Sequence, residues 1–138
     1  MGRREQGRAD APRRVGPRHV LYGSRFLEVT VPIKIVDWET RYENNRTRDL
    51  KRMQWVPMPN RHDGDGYTTL LDHPNGAAHF GAWCALVQVA SRCDERGALL
   101  RHGAGGHDSA SLARMTRIPE AVWLEVLPRL LSIGWIED

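Results

Sequence analysis

The sequence predicts a mainly helical α+β fold, because helix caps, helical periodicity and a short strand pattern follow one another near its end. Asp108 or Ser109 can cap a short helix, and Pro119 suits the first position of the next, where its missing N–H costs nothing. The second helix has apolar residues at spacings of three and four, namely Val122, Val126, Leu127, Leu130 and Leu131. Gly134 ends this helix, and a strand begins at Trp135. This order indicates a winged helix-turn-helix with a small β-sheet.

Upstream patterns supply the rest of the fold. Residues 76–93 keep a three-four apolar rhythm and predict the central buried helix, which Asn75 can cap and Gly97 ends. Residues 67–71 predict a helical turn, and residues 98–100 a short strand. The chain stops at Asp138, before a second wing strand, so either it is truncated or an upstream strand completes the sheet. Residues 29–36, which lie in an alternating stretch with Pro32 favouring an edge, or residues 55–57 can do so.

Charge divides the chain unevenly. Residues 1–61 contain fourteen Arg and Lys against seven Asp and Glu, a net charge of +7, whereas residues 62–138 have a net charge of −4. Residues 1–30 are rich in Arg, Gly and Pro and predict a disordered basic tail. We therefore expect an extended basic segment with a strand over residues 31–61 and the winged-helix domain over residues 62–138.

The basic segment is the stronger candidate for contact with DNA. Its cations are interleaved with Trp38, Tyr42 and Trp55; they are Arg41, Arg46, Arg48, Lys51, Arg52 and Arg61. Each phosphate that such a side chain neutralises releases counterions, so several contacts make binding strongly salt-dependent. The alternative is a solvated arm whose arginines pair with acidic residues of the segment, namely Glu39, Glu43 and Asp49.

The helix-turn-helix itself offers fewer cations. Arg114 and Arg117 lie beside the turn, and Arg129 lies on the second helix; all three are candidate DNA contacts. The predicted outer face of that helix also carries two glutamates, together with Trp123 and Leu124, which are candidate protein contacts. The full outer set is Glu120, Trp123, Leu124, Glu125 and Arg129. An interior proline at position 128 should kink the helix.

The sequence argues against several other classes. Cys84 and Cys93 are predicted to point away from each other on one helix, which excludes a disulfide between them and fits a reducing cytoplasm. No His and Cys spacing is typical of a zinc site, and no phosphate-binding loop or nucleophile–base arrangement is present. We expect no metal, no cofactor and no enzymatic activity. No apolar run approaches the ~20 residues that a membrane span needs.

Residues 35–138 resemble a known group of replication proteins. The segments GAWCALVQVASRC, GALL, SLARMTRIP and LLSIGWIE are similar to the winged-helix N-terminal domain of phage replisome organisers and DnaD-like primosomal proteins. The leader before them resembles that of uncharacterised phage-related proteins. The resemblance implies a role in starting replication on phage or prophage DNA, by binding DNA or by recruiting a helicase or its loader.

The expected function is therefore a non-enzymatic DNA-binding protein in the cytoplasm of a bacterial host, acting on duplex or single-stranded DNA. An oligomerisation or protein-docking module that hardly touches DNA is the alternative from another class, and a homo-oligomer is compatible with both. A transcriptional regulator with the same fold is the third interpretation, since the fold alone does not fix the function.

Overall fold

The structure is a computed structural model that describes residues 33–101 and 105–138. Within these ranges, the elements in chain order are β1 (Lys34–Ile35), α1 (Trp38–Arg41), α2 (Asn45–Arg48), α3 (Asp65–Leu71), α4 (Gly76–Ser91), α5 (Ser109–Thr116), α6 (Glu120–Ser132) and β2 (Ile136–Glu137). The fold is thus mainly helical with a small sheet, as predicted. The predicted tail, residues 1–30, lies outside the described residues.

The sheet is completed by an upstream strand. β1 and β2 pair antiparallel, with Ile35 opposite Ile136. Residues 98–100 run beside β1: Lys34 forms a bridge with Ala98, and Leu99 donates its backbone N–H to the Ile33 carbonyl at 2.7 Å. This pairing confirms the prediction that a strand within residues 29–36 pairs with the strand near the end of the chain.

The core forms where α4 and α6 pack against each other and against α3 and α5. Leu86 of α4, Leu112 of α5, and Val126 and Leu130 of α6 are fully buried. Apolar side chains that recur every three to four residues place one stripe of each helix in this core. Burial of these stripes by neighbouring helices, more than helix propensity, holds such elements in place.

The caps around the helical turn follow the sequence closely. The Asp108 side chain accepts from the backbone N–H of Ser111 at 2.8 Å, and the Ser111 hydroxyl accepts from the N–H of Asp108, which is a capping box. Arg117 ends α5 in the left-handed region, at φ 66°. Pro119 immediately precedes the first residue of α6, and the helix continues through Pro128 to Ser132. Gly134 adopts φ 79°, which lets the chain turn into β2.

The segment over residues 31–61 is not extended throughout, contrary to prediction. Two short helices, α1 and α2, follow β1, and the side chains of Trp38, Tyr42 and Met53 are buried in the same core as the later helices. Burial of these large apolar groups outweighs the charge pattern from which an extended arm was inferred. Residues 55–59, by contrast, contain no helix or strand.

Two local predictions for α4 were also wrong. Asn75 lies at the cap position, but its side chain makes no capping bond and instead donates to Glu125 at 3.0 Å. Cys93 lies beyond the end of α4, where its thiol donates to the Val89 carbonyl, and both cysteines are free. No helix among the described residues is long and apolar enough to cross a membrane.

Candidate nucleic-acid interface

The chain folds into a compact turn over residues 44–52, which we call the cationic knuckle. Asn44 caps α2: its side-chain oxygen accepts from the backbone N–H groups of Arg46 and Thr47, and the Thr47 hydroxyl accepts from the N–H of Asn44. A helix of four residues has little stability of its own, so other contacts must hold it.

Arg96, which lies 44 residues after the last knuckle residue, Arg52, makes those contacts. Its guanidinium donates to the backbone carbonyls of Thr47 at 2.8 Å and Leu50 at 2.7 Å. The same group forms a two-pronged ion pair with Glu43, with both N···O distances at 3.0 Å. The Arg96 side chain is only 13% exposed, so one nearly buried cation fixes the path of the knuckle backbone.

Glu43 is engaged inward and does not neutralise the knuckle. Its side chain is 6% exposed and also accepts from Trp38 Nε1. Burial raises the pKa of the Glu43 carboxyl, but the hydrogen bonds from Trp38 and Arg96 outweigh burial, and the net pKa is below its ordinary value. The carboxylate therefore stays ionised and tied to Arg96 at neutral pH.

The knuckle cations face solvent. Arg46, Arg48, Lys51 and Arg52 are all exposed. Arg48 donates to the Asn45 side chain and to the Glu39 carbonyl, both uncharged acceptors. Within the described part of the chain, no ion pair joins a knuckle cation to Glu39, Glu43 or Asp49. The pairing that defined the solvated-arm alternative is thus not found there.

The other two cations of the basic segment lie outside the knuckle. Arg41 is exposed and lies 3.9 Å from the Asp37 carboxylate, an ion pair of the surface type that contributes little. Arg61 is exposed and lines a cleft with His62, Tyr67 and Trp135. The structure therefore concentrates four of the six predicted cations at one place.

Of the three aromatic residues predicted to interleave with the cations, only Trp55 is available to a ligand. Trp38 and Tyr42 stack on each other with ring centroids 5.1 Å apart and are buried. Trp55 is 82% exposed. The exposed 82% of an aromatic side chain that buries ~150–250 Å² corresponds to about 3 to 5 kcal/mol of unused burial free energy, at ~25 cal/mol per Å².

The prediction that Trp123 contacts a partner protein is wrong. Its side chain is fully buried, and its indole N–H donates to the Thr116 hydroxyl at 3.3 Å. The buried stripe of α6 contains Trp123, Val126, Leu127 and Leu130 and is rotated from the stripe that the sequence suggested. Leu124 is 42% exposed, and Glu120 and Glu125 are exposed, so the outer face of α6 remains acidic.

Arg129 is half-buried, and its guanidinium is engaged within the protein. It donates to the carbonyls of Leu70 at 2.9 Å and Thr69 at 2.8 Å and lies 2.7 Å from His79 Nδ1. These contacts join α6 to the end of α3 and to α4, so we exclude Arg129 from the interface. Arg114 and Arg117 are both exposed beside the turn, as expected.

The His79 contact fixes the proton positions of a small polar cluster. A guanidinium only donates, so Nδ1 of this fully buried imidazole accepts, and Nε2 bears the proton that is donated to Glu125 at 2.8 Å. His73 has the same tautomer, because its Nδ1 accepts from the backbone N–H of Asn75, and its Nε2 lies 3.8 Å from Glu125, beyond hydrogen-bond distance. Hydrogen bonds from Asn75 and His79 hold the pKa of the Glu125 carboxyl below its ordinary value.

This cluster has the spacing of a metal site but not its hydrogen bonding. Ligand atoms of His73, His79 and Glu125 lie within 4.8 Å of one another. A histidine that binds metal through Nε2 donates its Nδ1 proton to an acceptor, whereas both Nδ1 atoms here accept. The residues therefore do not fit a metal ion, and the arrangement ties α4 to α6 through Glu125 and Arg129.

A groove of about 890 Å³ lies between α4 and α5. Val89, Cys93 and Leu100 give it apolar lining, and Met115, which is 58% exposed, lies at its α5 side. Three arginines also line it, namely Arg92, Arg101 and Arg114. Burial raises the pKa of the Cys93 thiol, so this cysteine is not an activated nucleophile.

Sequence reasoning missed the two residues that organise these sites. Arg96 stands among acidic and polar residues after α4 and has no local signal for a partner in residues 43–50. His79 occupies a helical spacing from Ala82, Trp83 and Leu86, which was a usable signal for burial.

Comparison of the chain with models of known protein families, with curated proteins and with solved structures finds no match.

Proposed function

We propose that the protein binds DNA through the cationic knuckle. The observation that carries this proposal is the set of four exposed cations, Arg46, Arg48, Lys51 and Arg52, on a backbone turn fixed by Arg96. A preorganised turn loses less conformational entropy on binding than a flexible arm, so its cations contribute more to affinity.

In the proposed complex, α4 to α6 and the two-stranded sheet act as a winged helix-turn-helix. Arg114 and Arg117 contact backbone phosphates, and the acidic outer face of α6 keeps this helix from deep insertion into a groove. The further step to phage-type replication initiation, with a helicase or helicase loader as partner, rests on the sequence resemblance. Co-purification of the full chain with a host helicase or its loader tests that step.

The proposal is tested by DNA binding across a salt series. We expect dissociation constants on the order of 10⁻⁶ M for non-specific DNA near physiological salt. Replacing all four knuckle cations with alanine should reduce the slope of log K against log salt by about 3, at ~0.7–0.9 per phosphate contact. Unchanged affinity and slope would reject the proposal.

A charge-matched pair of variants separates position from net charge. Lys51→Ala/Arg52→Ala and Arg92→Ala/Arg101→Ala each remove two exposed cations, the first pair from the knuckle and the second from the groove between α4 and α5. We expect the knuckle pair to weaken binding by a larger factor than the groove pair. Equal losses would mean that net charge alone, not the knuckle, drives binding.

Homo-oligomerisation is the second candidate function, and the groove between α4 and α5 favours it. The groove combines apolar lining with the exposed Met115, and its three arginines are complementary in charge to the acidic outer face of α6 in a second copy. Light scattering should then show a dimer or larger species that Met115→Asp dissociates. A monomer at all concentrations would reject it.

A further inference from the structure

We infer that the knuckle takes single-stranded in preference to duplex DNA, with Trp55 as a stacking surface for one base. This inference rests on the proposed function and names the form of nucleic acid that the same site takes. Its carrying observation is an 82% exposed indole three residues after the last of the four exposed cations.

The outward direction of Trp55 is built into the chain. Residues 55–59 alternate between exposed and partly buried positions, and Val56 and Met58 pack against the core while Trp55, Pro57 and Pro59 are exposed. Met53, two residues before Trp55, is 3% exposed and lies in the same core. The two prolines restrict the backbone to extended geometry, so the indole is held at the surface.

Trp55 lies within reach of the same strand that the cations contact. Arg52 precedes it by three residues, which limits their Cα separation to about 11 Å. Base stacking on an aromatic side chain beside a cationic track is the usual way in which proteins bind single strands without sequence preference. In a duplex the bases are already stacked on each other, and an exposed indole gains nothing unless it intercalates.

The helix-turn-helix offers no competing duplex reader. The first turn of α6, which in such folds approaches the base edges, carries Glu120, and the exposed face continues with Leu124 and Glu125. Carboxylates repel phosphates, and Arg129 is held by the Thr69 and Leu70 carbonyls. Apart from the phosphate contacts proposed for Arg114 and Arg117, the duplex-binding determinants of the helix-turn-helix are therefore weak. The single-strand determinants lie in the knuckle and three residues after it.

The test uses the full chain and labelled oligothymidylate of about 12 nucleotides, within the ~4–16 that one such site covers, alongside a hairpin duplex. Trp55→Ala should weaken single-strand binding about 5- to 150-fold and leave duplex binding unchanged. Trp55→Phe should retain most of the affinity. Leu124→Ala, at an apolar residue outside the knuckle that is 42% exposed, is the control and should bind like the wild type.

Two readouts separate stacking from a structural effect. An abasic strand with the same number of phosphates should bind wild-type protein as weakly as oligothymidylate binds Trp55→Ala. Single strands should also quench tryptophan fluorescence, and Trp55→Phe should remove most of the quenching, because Trp38, Trp83 and Trp123 are buried and Trp135 is partly buried.

The outcomes test the single-strand inference and the DNA-binding proposal separately. The single-strand inference is overturned if Trp55→Ala lowers the affinities for single-stranded and duplex DNA equally, or changes neither affinity. The DNA-binding proposal still stands in that case, provided that the fourfold alanine variant of the knuckle loses binding. If the fourfold variant binds like the wild type, both are overturned.

Discussion

Replacing Arg96 with alanine should both destabilise the protein and abolish the knuckle. The substitution removes the partner of Glu43, a carboxylate that is only 6% exposed, and the side-chain donor to the Leu50 carbonyl. The Thr47 carbonyl loses Arg96 but keeps the backbone N–H of Leu50 at 3.0 Å. Removing one member of a buried ion pair costs about 3 to 5 kcal/mol, because the other charge stays buried without compensation. That cost is a large fraction of the ~5–15 kcal/mol that stabilises a typical domain.

Urea unfolding gives the free energy, and limited trypsin digestion gives the local effect. Trypsin should cut after Arg46, Arg48, Lys51 and Arg52 faster in Arg96→Ala than in the wild type, since local opening exposes the backbone. Arg96→Lys should recover only part of the loss, because a lysine lacks the planar fork that bonds Glu43 and two carbonyls together. Arg92→Ala, at an exposed position four residues earlier, is the control and should change stability by less than about 0.5 kcal/mol.

The pH dependence of this pair has a defined sign. The pKa of Glu43 is lowered in the folded protein, so its stabilising effect is present at neutral pH and is lost as pH falls through its folded-state pKa. The stability difference between wild type and Arg96→Ala should therefore shrink in acid. If Arg96→Ala instead unfolds within about 0.5 kcal/mol of wild type at neutral pH, with the same trypsin pattern, Arg96 does not organise the knuckle.

A substitution at Trp123 tests the core, and the addition of zinc tests the polar cluster. Trp123→Ala should cost about 3 to 5 kcal/mol in urea unfolding, as expected for a fully buried aromatic; a loss below about 1 kcal/mol, or a change in oligomeric state without a loss of stability, would contradict its burial. Zinc added in excess should leave the melting temperature unchanged, because both histidines of the cluster accept at Nδ1 and hold their protons on Nε2. A rise in melting temperature that His73→Ala abolishes would show that the cluster binds metal.

The helical part of the fold was predictable because its signals are local. The Asp108 capping box, the apolar rhythm of α4 and the glycine at position 134 each specify backbone conformation within a few residues. The strand that completes the sheet was narrowed to two candidates, and the pairing of Ile35 with Ile136 selects one of them.

The predictions that failed concern residues whose contacts join distant parts of the chain. Trp38 and Tyr42 lie in an arginine-rich segment, and only the packing of later helices shows that they are buried. Trp123 was placed on the outer face because Val122 and Leu131 widened the apolar stripe; in the structure both are only partly buried. Arg96 reaches back 53 residues to Glu43, and no sequence spacing encodes that pairing.

Lysine modification with and without single-stranded DNA tests the central claim most directly. The chain has two lysines, Lys51 in the knuckle and Lys34 on β1, and both are exposed, so each molecule carries its own control. If the knuckle binds DNA, acetylation measured by mass spectrometry should slow strongly at Lys51 and much less at Lys34 when oligothymidylate is bound. Equal rates at Lys51 with and without saturating DNA would contradict the claim.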